Sequence, residues 1–187
     1  MRKLALLSAL VAITVLPASA EEVDDDVSYG YVGAAGGLLL PGNGNGLRRA
    51  ALVAARGGWY VDDYLALEAE ALCAPHAASD VGGTAVWGGS VQAFWHLSGW
   101  EAFDKLFGCE RFAPFLTGGV QALCAPQHVF ADGSHRTGIG PSVGLGAFYH
   151  LTDNWSLRAE ARAALAVDSP CGMTYALLAG LQYSFGD

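Results

Sequence analysis

The side chains best suited to chemistry in this 187-residue chain are charged residues set two apart in two similar runs. Glu68 and Glu70 stand in YLALEAEALC, residues 64–73, and Arg158, Glu160 and Arg162 share one phase of WSLRAEARAAL, residues 155–165. Neighbouring carboxylates can divide a proton between them and work as general acid and base. Interleaved with arginines they neutralise one another instead, which burial demands, because a buried unpaired ion costs on the order of several kcal/mol. A paired network is the expected outcome, with Arg48 or Arg56 able to join from a neighbouring segment. A second candidate is His96-Leu97-Ser98, a base two residues from a hydroxyl nucleophile. The pattern recurs at His150-Leu151-Thr152, so it reads as a repeated strand end rather than a catalytic pair. His76, His128 and His135 lack H-x-x-x-H spacing and the cysteines lack C-x-x-C spacing, so no metal or cofactor is expected.

Both charged runs alternate with period two, the signature of a strand with one polar and one apolar face. Leu65, Leu67, Ala69, Ala71 and Cys73 oppose Tyr64, Ala66, Glu68, Glu70 and Leu72; Trp155, Leu157, Ala159, Ala161, Ala163 and Leu165 oppose Ser156, Arg158, Glu160 and Arg162. Residues 173–185 alternate as well. Turn residues divide the chain into eight such segments, near 27–40, 47–60, 64–74, 84–97, 111–124, 138–151, 155–166 and 173–185. Residues 100–107, WEAFDKLF, form the one segment patterned as a short amphipathic helix.

Composition says where such strands must lie. The chain is 52% apolar and 15% charged, yet its one long apolar run is Leu4 to Leu16. With Arg2 and Lys3 before it and Ala18-Ser19-Ala20 after it, that run predicts a secretory signal peptide over residues 1–20. Residues 21–26, EEVDDD, form an acidic leader, and 27–187 one domain. From Glu21 onward 18 acidic residues face 8 basic ones, a net charge of −10 that excludes electrostatic binding of nucleic acid. No later stretch is long and apolar enough for a membrane helix, so the only spanning solution is a closed β-barrel.

Internal copies support the hairpin reading. Residues 63–71, DYLALEAEA, align with 153–161, DNWSLRAEA; AFWHL at 93–97 matches AFYHL at 147–151; and ALCAP occurs at 71–75 and 122–126. Three further stretches carry a family resemblance: GAFYHLTDNWSLRAE at 146–160, GWYVDDYLALEAE at 58–70 and RFAPFLTGGV at 111–120. With GLQYSF at 180–185 they make the chain similar to the small eight-stranded outer-membrane barrels of the OmpA/OmpX type. The resemblance implies an all-β, eight-stranded antiparallel up-and-down transmembrane barrel in the outer membrane of a Gram-negative cell envelope. It implies the lipid bilayer as partner and the β-barrel assembly machinery during insertion. It also marks Gly180, Tyr183 and Phe185 as a C-terminal assembly signal, although Gly186 and Asp187 follow the Phe that usually ends the chain. No peptidoglycan-binding domain follows the barrel, so a cell-wall tether is not expected.

Short turns in such barrels are periplasmic and longer loops extracellular. That sidedness sets Cys73, Cys124 and Cys171 at outer loop edges and Cys109 in the opposite connection. Two disulfides are thereby disfavoured, leaving room for a single outer bridge such as Cys73–Cys124. Trp59, Tyr60, Trp95, Trp100, Tyr149, Trp155, Tyr183 and Phe185 gather near the periplasmic strand ends, as an interfacial girdle requires.

An eight-stranded lumen is filled by side chains, which argues against a wide pore. The expected function is therefore a non-enzymatic monomer with an envelope-integrity or surface-interaction role through its extracellular loops. Two alternatives stand beside it. Lipid A deacylases on similar barrels use a His-x-Ser pair, but here Gly99 stands where their asparagine follows, and the expected side of the membrane is wrong. A secreted lipocalin-like barrel would need the Leu/Ala face inward and the charges outward.

Overall fold

The computed structural model describes residues 29–42, 49–62, 64–78, 83–97, 111–125, 136–165 and 173–186. They form β1 (Gly30–Pro41), β2 (Ala50–Tyr60), β3 (Leu65–Ala78), β4 (Gly83–His96), β5 (Phe112–Ala125), β6 (Arg136–His150), β7 (Trp155–Leu165) and β8 (Met173–Phe185). Each pairs antiparallel with its sequence neighbours, and β8 returns to β1 in register from Gly30↔Phe185 to Pro41↔Thr174, closing the barrel. Every expected segment coincides with one strand. The chief boundary difference is β3, which runs on to Ala78 through a register irregularity between Ala74 and Ala77. The signal peptide, the acidic leader and the helix expected at 100–107 lie outside the described residues.

The two tight turns that align in the sequence repeat are built alike. After β2, Val61 N donates to Leu65 O at 2.8 Å, and Asp62 Oδ1 accepts from the backbone N of Tyr64 and of Leu65, both at 2.7 Å. After β6, Leu151 N donates to Trp155 O at 2.8 Å, and Thr152 Oγ1 accepts from Trp155 N at 3.0 Å. Each oxygen holds the first residues of the following strand, which fixes register and so decides which face each side chain takes.

That alternation turns the barrel inside out relative to a soluble one. Val91 is 66% exposed while Glu68 is 2% exposed. Leu145, Leu157, Leu177 and Leu181 face outward, whereas Arg56, Gln92, Ser142, Arg158 and Gln182 are buried in the lumen. A lipocalin-like interior is thereby excluded. Apolar side chains outside and polar ones inside suit a wall surrounded by hydrocarbon.

The lumen is stacked in three layers. Toward the end that holds Gly30 and Phe185, here the terminal end, Tyr31, Tyr60, Ala66, Phe94, Phe115 and Phe148 pack as an aromatic cluster. Toward the opposite, distal end, Leu39, Leu52, Leu72, Val86 and Leu178 form an aliphatic one. Charged and amide side chains fill the layer between. Gly88 shows how tightly the distal layer closes: a Cβ there would lie 2.7 Å from Leu123 Cδ2 and 3.0 Å from Leu72 Cδ1, from the strands on either side.

Candidate functional site

The middle layer is built on three strands. Strict alternation along β7 points Arg158, Glu160 and Arg162 inward, and along β3 it does the same for Glu68 and Glu70. Arg56 on β2 stands directly opposite Glu70 in the β2–β3 ladder. β7 lies across the lumen from β3, so long side chains must bridge the interior. Inward-facing glycine makes room: a Cβ on Gly33 of β1 would already approach Arg56 Cγ to 3.3 Å.

These six residues close a ring of alternating charge. Arg158 Nη2 donates to Glu68 Oε1 at 3.2 Å, and Glu68 lies 4.0 Å from Arg56 Nη1. Arg56 Nη2 is 3.0 Å from Glu70 Oε2, and Arg162 Nη1 donates to Glu70 Oε1 at 2.6 Å. Arg162 Nη2 donates to Glu160 Oε1 at 2.7 Å, and Arg158 Nη2 donates to Glu160 Oε2 at 2.7 Å, completing the circuit. A chord crosses it where Arg56 Nη1 donates to Glu160 Oε2 at 3.0 Å. Three carboxylates and three guanidiniums make the ring neutral.

Further side chains add contacts to the ring, although Arg56 Nε and Arg158 Nε meet no hydrogen-bond partner among the described residues. Tyr31 Oη donates to Glu68 Oε2 at 2.9 Å. With its amide oxygen turned toward Arg162, Gln92 accepts from both Nη atoms at 2.9 Å. The Arg158 guanidinium carbon lies 4.7 Å from the Phe94 ring centre, 4.8 Å from Phe115 and 5.5 Å from Phe148. Aromatic faces attract a cation electrostatically, and more so in a dry interior. Each carboxylate is held by at least two arginines, and the cleft beside Arg56, Arg158, Glu160 and Gln182 is too tight for a water molecule. The arrangement ties opposite walls together and offers no free base to a substrate.

Arg48, the other arginine named from the sequence, lies outside the described residues. The aromatic cradle under Arg158 and the Tyr31 bond were not expected. Their signal was phase: Phe94 shares the parity of Ser90 and Gln92, and Tyr31 that of Gly33.

His96 is buried, its ring centre 5.4 Å from those of Tyr60, Phe94 and Phe148. Its Nε2 meets no hydrogen-bond partner among the described residues, and Ser98 lies outside them. His150 Nδ1 is 2.8 Å from Ser156 Oγ. His76 is exposed, while His128 and His135 fall outside the described residues, among which no cluster suits a metal ion.

The Cys73–Cys124 bridge requires correction. Cys73 carries a free thiol. Trp87 of β4 stands between the two cysteines, opposite Cys73 on one side and Cys124 on the other. Two strand spacings, about 9.6 Å, exceed the roughly 7 Å that a disulfide can span between Cα atoms. Cys124 Sγ instead lies 3.4 Å from Thr137 Oγ1. The aromatic girdle also needs one revision. Trp59, Trp95, Tyr149, Trp155, Tyr183 and Phe185 are exposed at the terminal end, but Tyr60 turns inward and stacks on Tyr29 with ring centres 4.1 Å apart. Trp100 lies outside the described residues. Gly180 faces the lumen, while Tyr183 and Phe185 face outward on the last strand.

Solved structures share this architecture. The N-terminal β-barrel domain of Pseudomonas aeruginosa OprF matches with a TM-score of 0.61 at 15% identity, over 86% of this chain and 98% of that one. Neisserial surface protein A matches with a TM-score of 0.60 at 17% identity, over 84% and 97%. Ail, the attachment invasion locus protein of Yersinia pestis, matches with a TM-score of 0.53 at 13% identity, over 86% and 99%. At these identities the likeness is one of fold. No curated protein matches the chain in sequence. Residues 5–185 match the family described as outer membrane protein beta-barrel domain. The chain thus belongs to that family, and its barrel is embedded in the bilayer of the outer membrane.

Proposed function

We propose that this protein is a non-enzymatic, monomeric barrel whose closed body anchors extracellular loops for an envelope-integrity or surface-interaction role. The neutral ring across the lumen is the observation that carries this reading, because it ties opposite walls together and leaves none of its carboxylates without an arginine. Residues 1–20 act as the export signal and 21–26 as a solvated leader. Gly180, Tyr183 and Phe185 present the assembly signal to the insertion machinery. Burial of His96 among Tyr60, Phe94 and Phe148 weighs against a lipid-cleaving role, since a base must reach its substrate.

Planar-bilayer recording and lipid analysis test this reading together. The reconstituted barrel, compact on unboiled SDS gels, is expected to give no large steady conductance and to leave lipid A mass spectra unchanged on expression. A persistent open channel, or a lipid A change that disappears in His96→Ala, overturns it.

A further inference from the structure

The strand order fixes which end of the barrel each connecting segment joins, and the charges sort by end. Six charges sit in the lumenal ring and cancel. At the distal end, residues 42–49, 79–82, 126–136 and 166–172 hold Asp80, Asp132 and Asp168 against Arg48, Arg49 and Arg136, which cancel as well. All remaining charges are carried by segments that join the barrel at its terminal end. Counted from Glu21, twelve carboxylates there face only Lys105 and Arg111, a net of −10. The entire net charge of the chain beyond residue 20 is therefore confined to one end.

Charge is costly to move through hydrocarbon, and a barrel entering a bilayer must carry one of its ends across. Passage of the distal end moves no net charge, whereas passage of the terminal end would drag ten negative charges with it. We infer that this partition sets the direction of insertion: the distal connections cross because their few acids and bases cancel, and the acidic terminal end stays on the side from which the chain arrives. The partner read by the pattern is the lipid bilayer itself, and the selective feature is the net charge kept off the distal connections.

Refolding of the chain from Glu21 onward, the form in which the charges were counted, from urea into dilauroylphosphatidylcholine vesicles tests this, followed by heat-dependent gel mobility and by trypsin added outside. The parent is expected to be cut at the terminal end, after Lys105 or Arg111, and protected at Arg48, Arg49 and Arg136. A variant carrying Asn43→Asp, Asn45→Asp, Gln127→Glu and Ser134→Asp should fold more than tenfold slower in vesicles yet at the parental rate in detergent micelles, where nothing crosses. Its inserted fraction should include molecules cut at the distal arginines. Replacing Glu21, Glu22, Asp24, Asp25 and Asp26 by their amides should leave the vesicle rate within twofold of the parent. An unchanged vesicle rate for the distal variant, or an equal slowing in vesicles and micelles, overturns the inference.

Discussion

The ring of Phe185, the last strand residue, lies over Gly30, the first, across the seam that closes the barrel. The two are direct ladder partners, and a Cβ on Gly30 would come within 2.8 Å of Phe185 Cε2. The residue read as an assembly signal thus also packs in the finished wall. Gly30→Val is expected to displace the half-exposed ring and destabilise the barrel, by less than the roughly 1–3 kcal/mol that overpacking a closed core costs. In a Phe185→Ala background the same Gly30→Val change should carry no such penalty, because the ring it strikes is gone. Urea unfolding in micelles for the two single variants and the double measures both effects.

Arg158 is the most heavily engaged member of the lumenal ring, joined to Glu68 and Glu160 and resting on three aromatic faces. Arg158→Ala should cost about 3–5 kcal/mol, because it leaves the buried ring with one uncompensated negative charge. Adding Glu68→Gln should return part of that loss, since the ring is then neutral again. A double-mutant cycle on unfolding free energies reads the coupling, and strict additivity would show that the ring does not act as a unit.

Gly146 sets the position of one of those aromatic faces. A Cβ at Gly146 would meet the Phe115 ring, with Cε2 at 2.9 Å. Because the same Cβ would also crowd the backbone oxygen of Ala159, Gly146→Ala should displace the Phe115 ring packed on Arg158 and cost about 1–3 kcal/mol. In an Arg158→Ala background the penalty should be smaller, as the ring then has space to move into. Shifted urea midpoints check both statements.

Thiol chemistry offers an independent check of register. Alkylation of the denatured chain without reductant should label Cys73 fully, and peptide mapping should find no cross-link between Cys73 and Cys124. Finding that cross-link would mean that Trp87 does not stand between them.

Much of this arrangement was legible from spacing alone. The i, i+2, i+4 placement of Arg158, Glu160 and Arg162 permits only one face on a strand, and the matching phase of Glu68 and Glu70 made them natural partners. What spacing cannot supply is which strand reaches which. Arg56 and Arg48 are equivalent on paper, and Arg56 is picked out by its place opposite Glu70 in the ladder. The cysteines mislead for the same reason. Sidedness alone lets Cys73 meet Cys124, yet the two sit on strands separated by β4. Tyr60 was readable after all: once Trp59 faces lipid, its neighbour must face the lumen.

The ring has a last consequence for a barrel cut in two. Severed within residues 98–110, the first half, β1 to β4, keeps Arg56, Glu68 and Glu70, and the second half, β5 to β8, keeps Arg158, Glu160 and Arg162. One fragment then carries an uncompensated negative charge in its future interior and the other an equal positive one. Each half is the natural counterion of the other, so separately made fragments are expected to find and complete one another, while two copies of the same half repel at their cores.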